Sequence, residues 1–432
     1  MFQAGATGIA PADIAKFFEN LLAHEKSLLQ AAVACGAGQA GSVKQLPTLK
    51  QVAKLLYRLS LIPVEAQAQS PLPFRPFLGP FLATFHDQLT GLYTDLPAPP
   101  GVAPAGAVSA SGVGYPSTPA TTPPSLERTA INALAFLTNV LSCDEYKVEL
   151  LAHHATSSSS RAVTATGDQE MSAAAVSEAA GVVNGFFTLE RCQSLLDLCI
   201  HRLLPLRTPD LEEWEGDPEA YQLSHASLTR EESPRAAAEY FVVCLLYKRS
   251  DTLAPLLAQL LSDTAGLQAA AAAEAAGAPG GSVSAEVLTW DARLLAAGLC
   301  AEPLAATGLD FSAWFMNTLA PCLTVLAAAP ASADAPPPVL RRRLLWLVGV
   351  WMGQMQEAIR PSLVEALVQM LTACASGCNA AVSLTLLRTL NCAVDNWEFN
   401  VEAFLPLTGA TVTGLYGILG TFSELDARLQ VR

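Results

Sequence analysis

Four groups of residues have types and spacing that bear on chemistry. Asp210, Glu212, Glu213, Glu215, Asp217 and Glu219 crowd around Leu211, Trp214 and Tyr221. Arg341, Arg342 and Arg343 are consecutive, His153 and His154 adjoin a serine-rich run, and Cys374 and Cys378 sit four apart. Neither of the last two groups fits a metal. The histidine pair has no cysteine or carboxylate set near it, and the turn at Gly377 separates two cysteines where a closed zinc site needs four ligands. Gly-x-x-x-x-Gly-Lys-Ser/Thr, Gly-x-Gly-x-x-Gly, Gly-x-Ser-x-Gly and His-Glu-x-x-His are all missing from the sequence. The expectation is a protein that is not an enzyme and carries no cofactor and no metal.

The charged groups are suited to binding. Leu211 and Trp214, three apart, anchor one helical turn and leave the carboxylates outward. That describes either a solvated acidic connector or a contact for a basic protein. The arginines follow Pro336, Pro337 and Pro338, which start a helix. Three cations near its positive end are unfavourable by about 0.3–1 kcal/mol each when unpaired. They therefore require acidic partners, from neighbouring helices or from another protein. Three consecutive positions spread over about 200° of a helix, so at least one pairs internally. Trp346 and Trp351, within the same apolar helix, read as core.

The elements that hold these groups are helical. Hydrophobic residues make up 51% and charged residues 15%, with leucine and alanine dominant and no period-two β-branched runs. The net charge of −14 is uneven: residues 125–263 carry 10 basic and 20 acidic side chains, against 7 and 6 in 1–124 and 8 and 13 in 264–432. An acidic middle repels phosphates and attracts basic proteins, so no nucleic acid is expected. Ten irregularly spaced cysteines, among them Cys192, Cys199, Cys244, Cys322 and Cys392, read as reduced and mostly buried. No secretory signal opens the chain. Phe311 to Ala333 lacks charge but contains Asn317, Pro321 and Pro330, so it reads as a buried helix and no membrane insertion is expected.

In chain order, helical patterns run over 12–34, 46–61 and 74–93, the last tolerating Pro76 and Pro80 as prolines near a helix start. Residues 1–93 thus form helical repeats, and 94–124 a disordered linker rich in Pro, Ser and Gly. Repeats resume over 125–263, interrupted by a polar insert at 155–169 and carrying the acidic segment 210–219. An Ala/Gly-rich insert at 264–282 precedes further repeats at 283–432. Short proline motifs recur at Phe77–Leu82, Leu253–Leu257, Leu319–Leu323, Ile359–Leu363 and Phe404–Leu407. Pro321, Pro361 and Pro406 are 40 and 45 residues apart, the period of HEAT and armadillo-type repeats. The fold class is all-α, a helical repeat solenoid.

Three pieces carry a more specific likeness: Arg341 to Trp351 (RRRLLWLVGVW), Arg360 to Leu367 (RPSLVEAL), and Val394 to Phe399 (VDNWEF) followed by Phe404-Leu405-Pro406. In order and spacing they resemble the importin-beta-type nuclear transport receptors, and within them the importin-eleven branch. Leu211-x-x-Trp214-x-x-Asp217-Pro218-Glu219-x-Tyr221 resembles a segment found between repeats of such receptors. The likeness is clear over about 188–263 and 286–422 and weaker over 12–93. It implies a HEAT superhelix that carries protein cargo through nuclear pores, moving between nucleus and cytoplasm under the GTPase Ran and touching phenylalanine-glycine repeats of nucleoporins. A basic cargo would meet Asp210, Glu212, Glu213, Glu215, Asp217 and Glu219, and an acidic partner Arg341, Arg342 and Arg343. The family's principal Ran contacts lie in repeats ahead of Met1, and its carboxy-terminal half is missing. The likeness is therefore to a middle portion, for which direct contact with Ran-GTP is expected to be weak. Asn379-Ala380-Ala381-Val382-Ser383 departs from the HEAT pattern by replacing its Asp and Arg charges. A HEAT scaffold of another complex is the alternative.

Overall fold

The computed structural model describes residues 10–37, 46–93, 124–147, 166–277, 282–329, 336–375, 377–396 and 398–429. Among these residues there is no strand, and no helix is long and apolar enough to cross a membrane. Two compact units divide them, one comprising 10–93, 124–203 and 229–248, the other 204–228 and 249–429.

In the first unit, helices α1 (Pro11–Ala37), α2 (Leu46–Gln69), α3 (Pro71–Tyr93), α4 (Pro124–Ser142), α5 (Thr166–Phe186) and α6 (Leu189–Leu198) appear in chain order. After α7 and α8, which belong to the other unit, α9 (Pro234–Lys248) completes it. Helices α2, α4 and α9 pack side by side, and α1, α3 and α5 form the facing row. Aromatic rings fill the space between them. Phe85 and Phe136 lie 4.5 Å apart, Phe18 and Phe77 4.7 Å, with Phe74 and Phe81 fully buried beside them. The buried stripe of α1 is Phe18, Leu21, Glu25, Leu29 and Ala32, a helical period with one acid in it.

The second unit contains α7 (Thr208–Gly216), α8 (Pro218–Ser227), α10 (Ser250–Leu261), α11 (Thr264–Ala276), α12 (Ala285–Leu299), α13 (Ala301–Ala306), α14 (Phe311–Trp314), α15 (Ala320–Ala327), α16 (Val339–Val350), α17 (Arg360–Cys374), α18 (Ala380–Val394), α19 (Val401–Phe404), α20 (Thr408–Leu419) and α21 (Leu425–Leu429). Helices α12, α16 and α18 stack in one row, each packed on the next, and α8 rests on α18. In the other row α11 packs on α15 and α17 on α20. Stacking of pairs on successive pairs is the HEAT arrangement.

Close approach in the first row depends on a glycine. A Cβ at Gly298 of α12 would overlap the indole of Trp346 on α16. Gly298→Ala is therefore expected to destabilise this unit by about 1–3 kcal/mol through overpacking, read as a lowered urea midpoint. An unchanged midpoint would show that Trp346 can move aside.

Several sequence expectations need correction. The alanine-rich insert is not a loop over its first part: 264–276 is α11, with Leu267, Ala270 and Ala271 buried. Alanine is the strongest helix former, Asp263 caps the start by accepting from Gly266 N–H at 2.9 Å, and Gly277 at φ +67 ends it. Leu267 supplies the apolar anchor that composition concealed. Phe311 to Ala333 is not one helix either. A π turn over Phe315–Leu319 separates α14 from α15 directly before Pro321, whose ring and missing N–H disrupt the ladder toward Asn317. A second π turn, Cys199–Leu203, precedes Pro205 in the same way. Helix α2 continues to Gln69 through Pro63. Pro76 and Pro80 lie within α3 and not in its first turn. Cys392 is exposed and Cys244 half-buried, unlike Cys192, Cys199 and Cys322. The expected linker over 94–123, insert residues 155–165 and the His153-His154 pair lie outside the described residues; 166–169 open α5.

Candidate interaction site

The acidic segment folds as two short helices, and each carboxylate has a distinct environment. Asp210 accepts the Arg207 backbone N–H at 2.7 Å and closes the first turn of α7. Asp217 ends α7 and caps α8, accepting from Glu219 N–H at 3.1 Å and Ala220 N–H at 3.0 Å, with Pro218 pre-set for the first helical position. Glu219 is buried and reaches the segment just before α21. Its carboxylate accepts from the Ser423 N–H and hydroxyl, each at 3.0 Å, and from Glu424 N–H at 2.6 Å. Outward orientation therefore fails for Glu219, and Asp210 and Asp217 are used by the backbone. Glu212, Glu213 and Glu215 are exposed on α7, Glu212 and Glu213 on the side away from buried Leu211 and Trp214 and Glu215 at its flank. Glu213 also accepts from the Ser224 hydroxyl at 3.3 Å.

Beneath that acidic face lies a buried aromatic stack. The rings of Trp214 and Tyr221 are 4.8 Å apart and nearly parallel at 14°, with the His225 ring 4.0 Å from Tyr221. The Trp214 indole N–H donates to Asn379 Oδ1 at 3.1 Å. The same oxygen accepts from Ala381 N–H at 3.1 Å and starts α18. Asn379, where the HEAT charge pattern fails, thus caps one helix and holds another.

The arginine triplet is mostly internal. Arg343 is buried and pairs with fully buried Asp291 through two hydrogen bonds of 2.7 and 3.3 Å, its guanidinium 4.8 Å from the Trp346 ring. Arg342 is buried too; it lies 4.9 Å over Trp214 and 5.8 Å over Tyr221 and donates to Gln222 Oε1 at 3.0 Å. An external partner cannot reach either guanidinium, which corrects the expectation for Arg342 and Arg343. Arg341 is half-buried. The positive end of α16 is met by Glu274 of α11, which accepts from Leu340 N–H at 2.7 Å and Arg341 N–H at 3.0 Å. Burial pushes that carboxyl up to about 7, opposed by the two backbone bonds. Asp291 and Glu274 of neighbouring helices thus supply acids to Arg343 and to the start of α16.

A cleft of about 360 Å³ opens elsewhere in this unit, between the start of α17, the end of α18 and residues 398–407. Met352, Pro361, Val364, Phe399 and Leu407 line it, and the Arg360–Glu398 ion pair lies at its side. No group of three or more histidine, cysteine or carboxylate side chains arranged to hold a metal ion occurs among the described residues.

No protein-family model matches the chain. Over 256 residues, 59% of its length, it is 28% identical to importin-11 of Homo sapiens and 27% identical to importin-11 of Mus musculus. Over 252 residues it is 21% identical to the importin beta-like protein kap113 of Schizosaccharomyces pombe. Over that stretch the chain is similar to importin-beta-type proteins. In fold, all of the chain superposes on Lph2, described as a bidirectional nuclear transport receptor of S. cerevisiae, with a TM-score of 0.68 and 18% identity. It spans about a quarter of the length of the importin-11 relatives (24%) and 37% of Lph2.

Proposed function

We propose that this chain acts in nuclear transport, moving between cytoplasm and nucleus with protein cargo. Its kinship with importin-11 over 256 residues carries that reading, and the fold shared with Lph2 supports it. The exposed face of Glu212, Glu213 and Glu215 receives a basic cargo segment. The cleft beside Phe399 and Leu407 receives phenylalanine side chains of nucleoporin phenylalanine-glycine repeats. Ran-GTP governs the transport cycle.

The two contacts differ in their response to salt. Exposed charges are screened within about 10 Å at 0.1 M ionic strength, whereas apolar burial depends little on it. Changing Glu212, Glu213 and Glu215 together to alanine is expected to weaken binding of a basic cargo about tenfold at low salt. Stability should stay within about 0.5 kcal/mol, as for other surface substitutions. Asp217 is unsuitable for this set, because loss of the cap costs about 0.5–2 kcal/mol by itself. Ala403→Glu, at an exposed residue of the cleft, is expected to abolish phenylalanine-glycine binding at every salt concentration. Pull-downs with basic cargo, phenylalanine-glycine repeats and GTP-loaded Ran, at low and high salt, test the whole reading. Binding to none of the three would leave a HEAT scaffold of another complex as the better description.

A further inference from the structure

Cys374 ends α17 and Cys378 precedes α18, and Gly377 at φ +123 makes the tight turn between them. The two thiols are hydrogen-bonded to each other, and the Ser383 side chain contacts both. The charge of Arg341, from the start of α16, acts on both sulfurs. Cys374 is 2% exposed, while Cys378 is half-buried and open to solvent. One sulfur can therefore meet a small oxidant while the other waits behind it. Neither cysteine has a part in the transport reading, so the two ideas stand or fall separately.

We propose that Cys374 and Cys378 form a hydroperoxide-sensitive dithiol that closes to an intramolecular disulfide across the α17–α18 turn. The Cys378 thiolate attacks the terminal peroxide oxygen. The O–O bond breaks, the remaining oxygen leaves as an alcohol (water, for hydrogen peroxide) after taking up a proton, and Cys378 becomes a sulfenic acid. The Cys374 sulfur then attacks the Cys378 sulfur. An S–S bond forms, the S–O bond breaks, and the hydroxyl leaves as water with the Cys374 proton. Two thiols lose two electrons in total, and the hydroperoxide gains them.

The surroundings favour this division of labour. The bond from Cys374, the Arg341 charge, and bonds from Ser383 and the Asn379 N–H hold the Cys378 thiol down to about 6, against its partial burial. The same bond and burial push Cys374 well above the usual thiol range. Cys378 is thus the nucleophile at neutral pH, and Cys374 the resolving thiol. Cys392, exposed on α18 and held above the usual range by burial and Asp395, serves as an internal comparison.

The test uses the full chain. The tryptic peptide Leu344 to Arg388 contains only these two cysteines, because the Arg360–Pro361 bond resists trypsin. After hydrogen peroxide at pH 7, that peptide is expected to be lighter by two hydrogens at the cysteines and restored by dithiothreitol. Cys374→Ser should leave a dimedone-trapped sulfenic acid on Cys378, and Cys378→Ser should leave Cys374 reduced, with circular dichroism confirming that both fold. In the unaltered protein, iodoacetamide should label Cys378 about tenfold faster than Cys392 at pH 7. A peptide that stays reduced while Cys392 oxidises, or labelling of Cys378 no faster than Cys392, would overturn the proposal.

Discussion

Glu25→Gln is expected to remove most of the pH dependence of stability in the first unit. Glu25 is fully buried in the apolar stripe of α1, and Gln88 Nε2 donates to its Oε2 at 3.0 Å. Burial pushes its carboxyl from an ordinary 4.5 up to about 8, with the Gln88 bond pulling the other way. Between those values the folded chain holds a proton that the unfolded chain releases. The stability tied to the neutral acid is therefore complete below pH 4.5 and lost as pH rises through about 8. Each pH unit in that window is worth about 1.4 kcal/mol, so wild type should lose roughly 4 kcal/mol relative to Glu25→Gln between about pH 5 and 8. Hydrogen exchange of the α1 and α3 amides, followed against pH in both proteins, reads this unit alone. Glu274 shares the sign but lies in the other unit and is unchanged in both proteins. Parallel profiles for the two proteins would refute the assignment.

The second large effect lies at the Arg343–Asp291 pair. Both side chains are buried, at 4% and 0% exposure, so removing one leaves the other charge without solvent. Arg343→Met is expected to cost about 3–5 kcal/mol, and Asp291→Leu a similar amount. The double variant should regain most of that loss, because two apolar groups of similar volume incur no desolvation of charge. A double-mutant cycle on urea unfolding of the second unit measures the coupling. Single variants within about 1 kcal/mol of wild type would mean that water reaches the pair.

Much of the fold was legible because its signals are local. Leucine and alanine at helical spacing mark α1, α16, α17 and α18, and prolines mark several helix starts. Leu211 and Trp214, three apart, were readable as the buried side of α7. The inward polar groups were not readable, because their partners are distant in sequence. Glu25 meets a residue 63 positions away, Arg343 one 52 away, Arg342 one 120 away and Glu219 one 204 away. A charged letter in a sequence reads as solvated until its partner is known. For that reason the acidic group lost Glu219 to the interior, and the arginine triplet lost Arg342 and Arg343. The error at α11 was of another kind. Low complexity marks 264–282 as an insert between repeats, although a run of alanine anchored by Leu267 and capped by Asp263 has strong helical propensity.

The long reach of the α7–α8 segment also bears on the order in which the chain is made. Trp214 and Tyr221 leave the ribosome well before the residues that cover and hold them. The Asn379 oxygen is 165 positions behind Trp214, and the Ser423 groups that secure Glu219 are 204 behind it. At roughly 5–20 residues per second, the indole waits about 8–33 s for Asn379 to be synthesised. During that interval two large rings have no native place to bury. A nascent chain of this protein therefore presents a defined sticky interval, and slow codons between positions 221 and 379 would lengthen it.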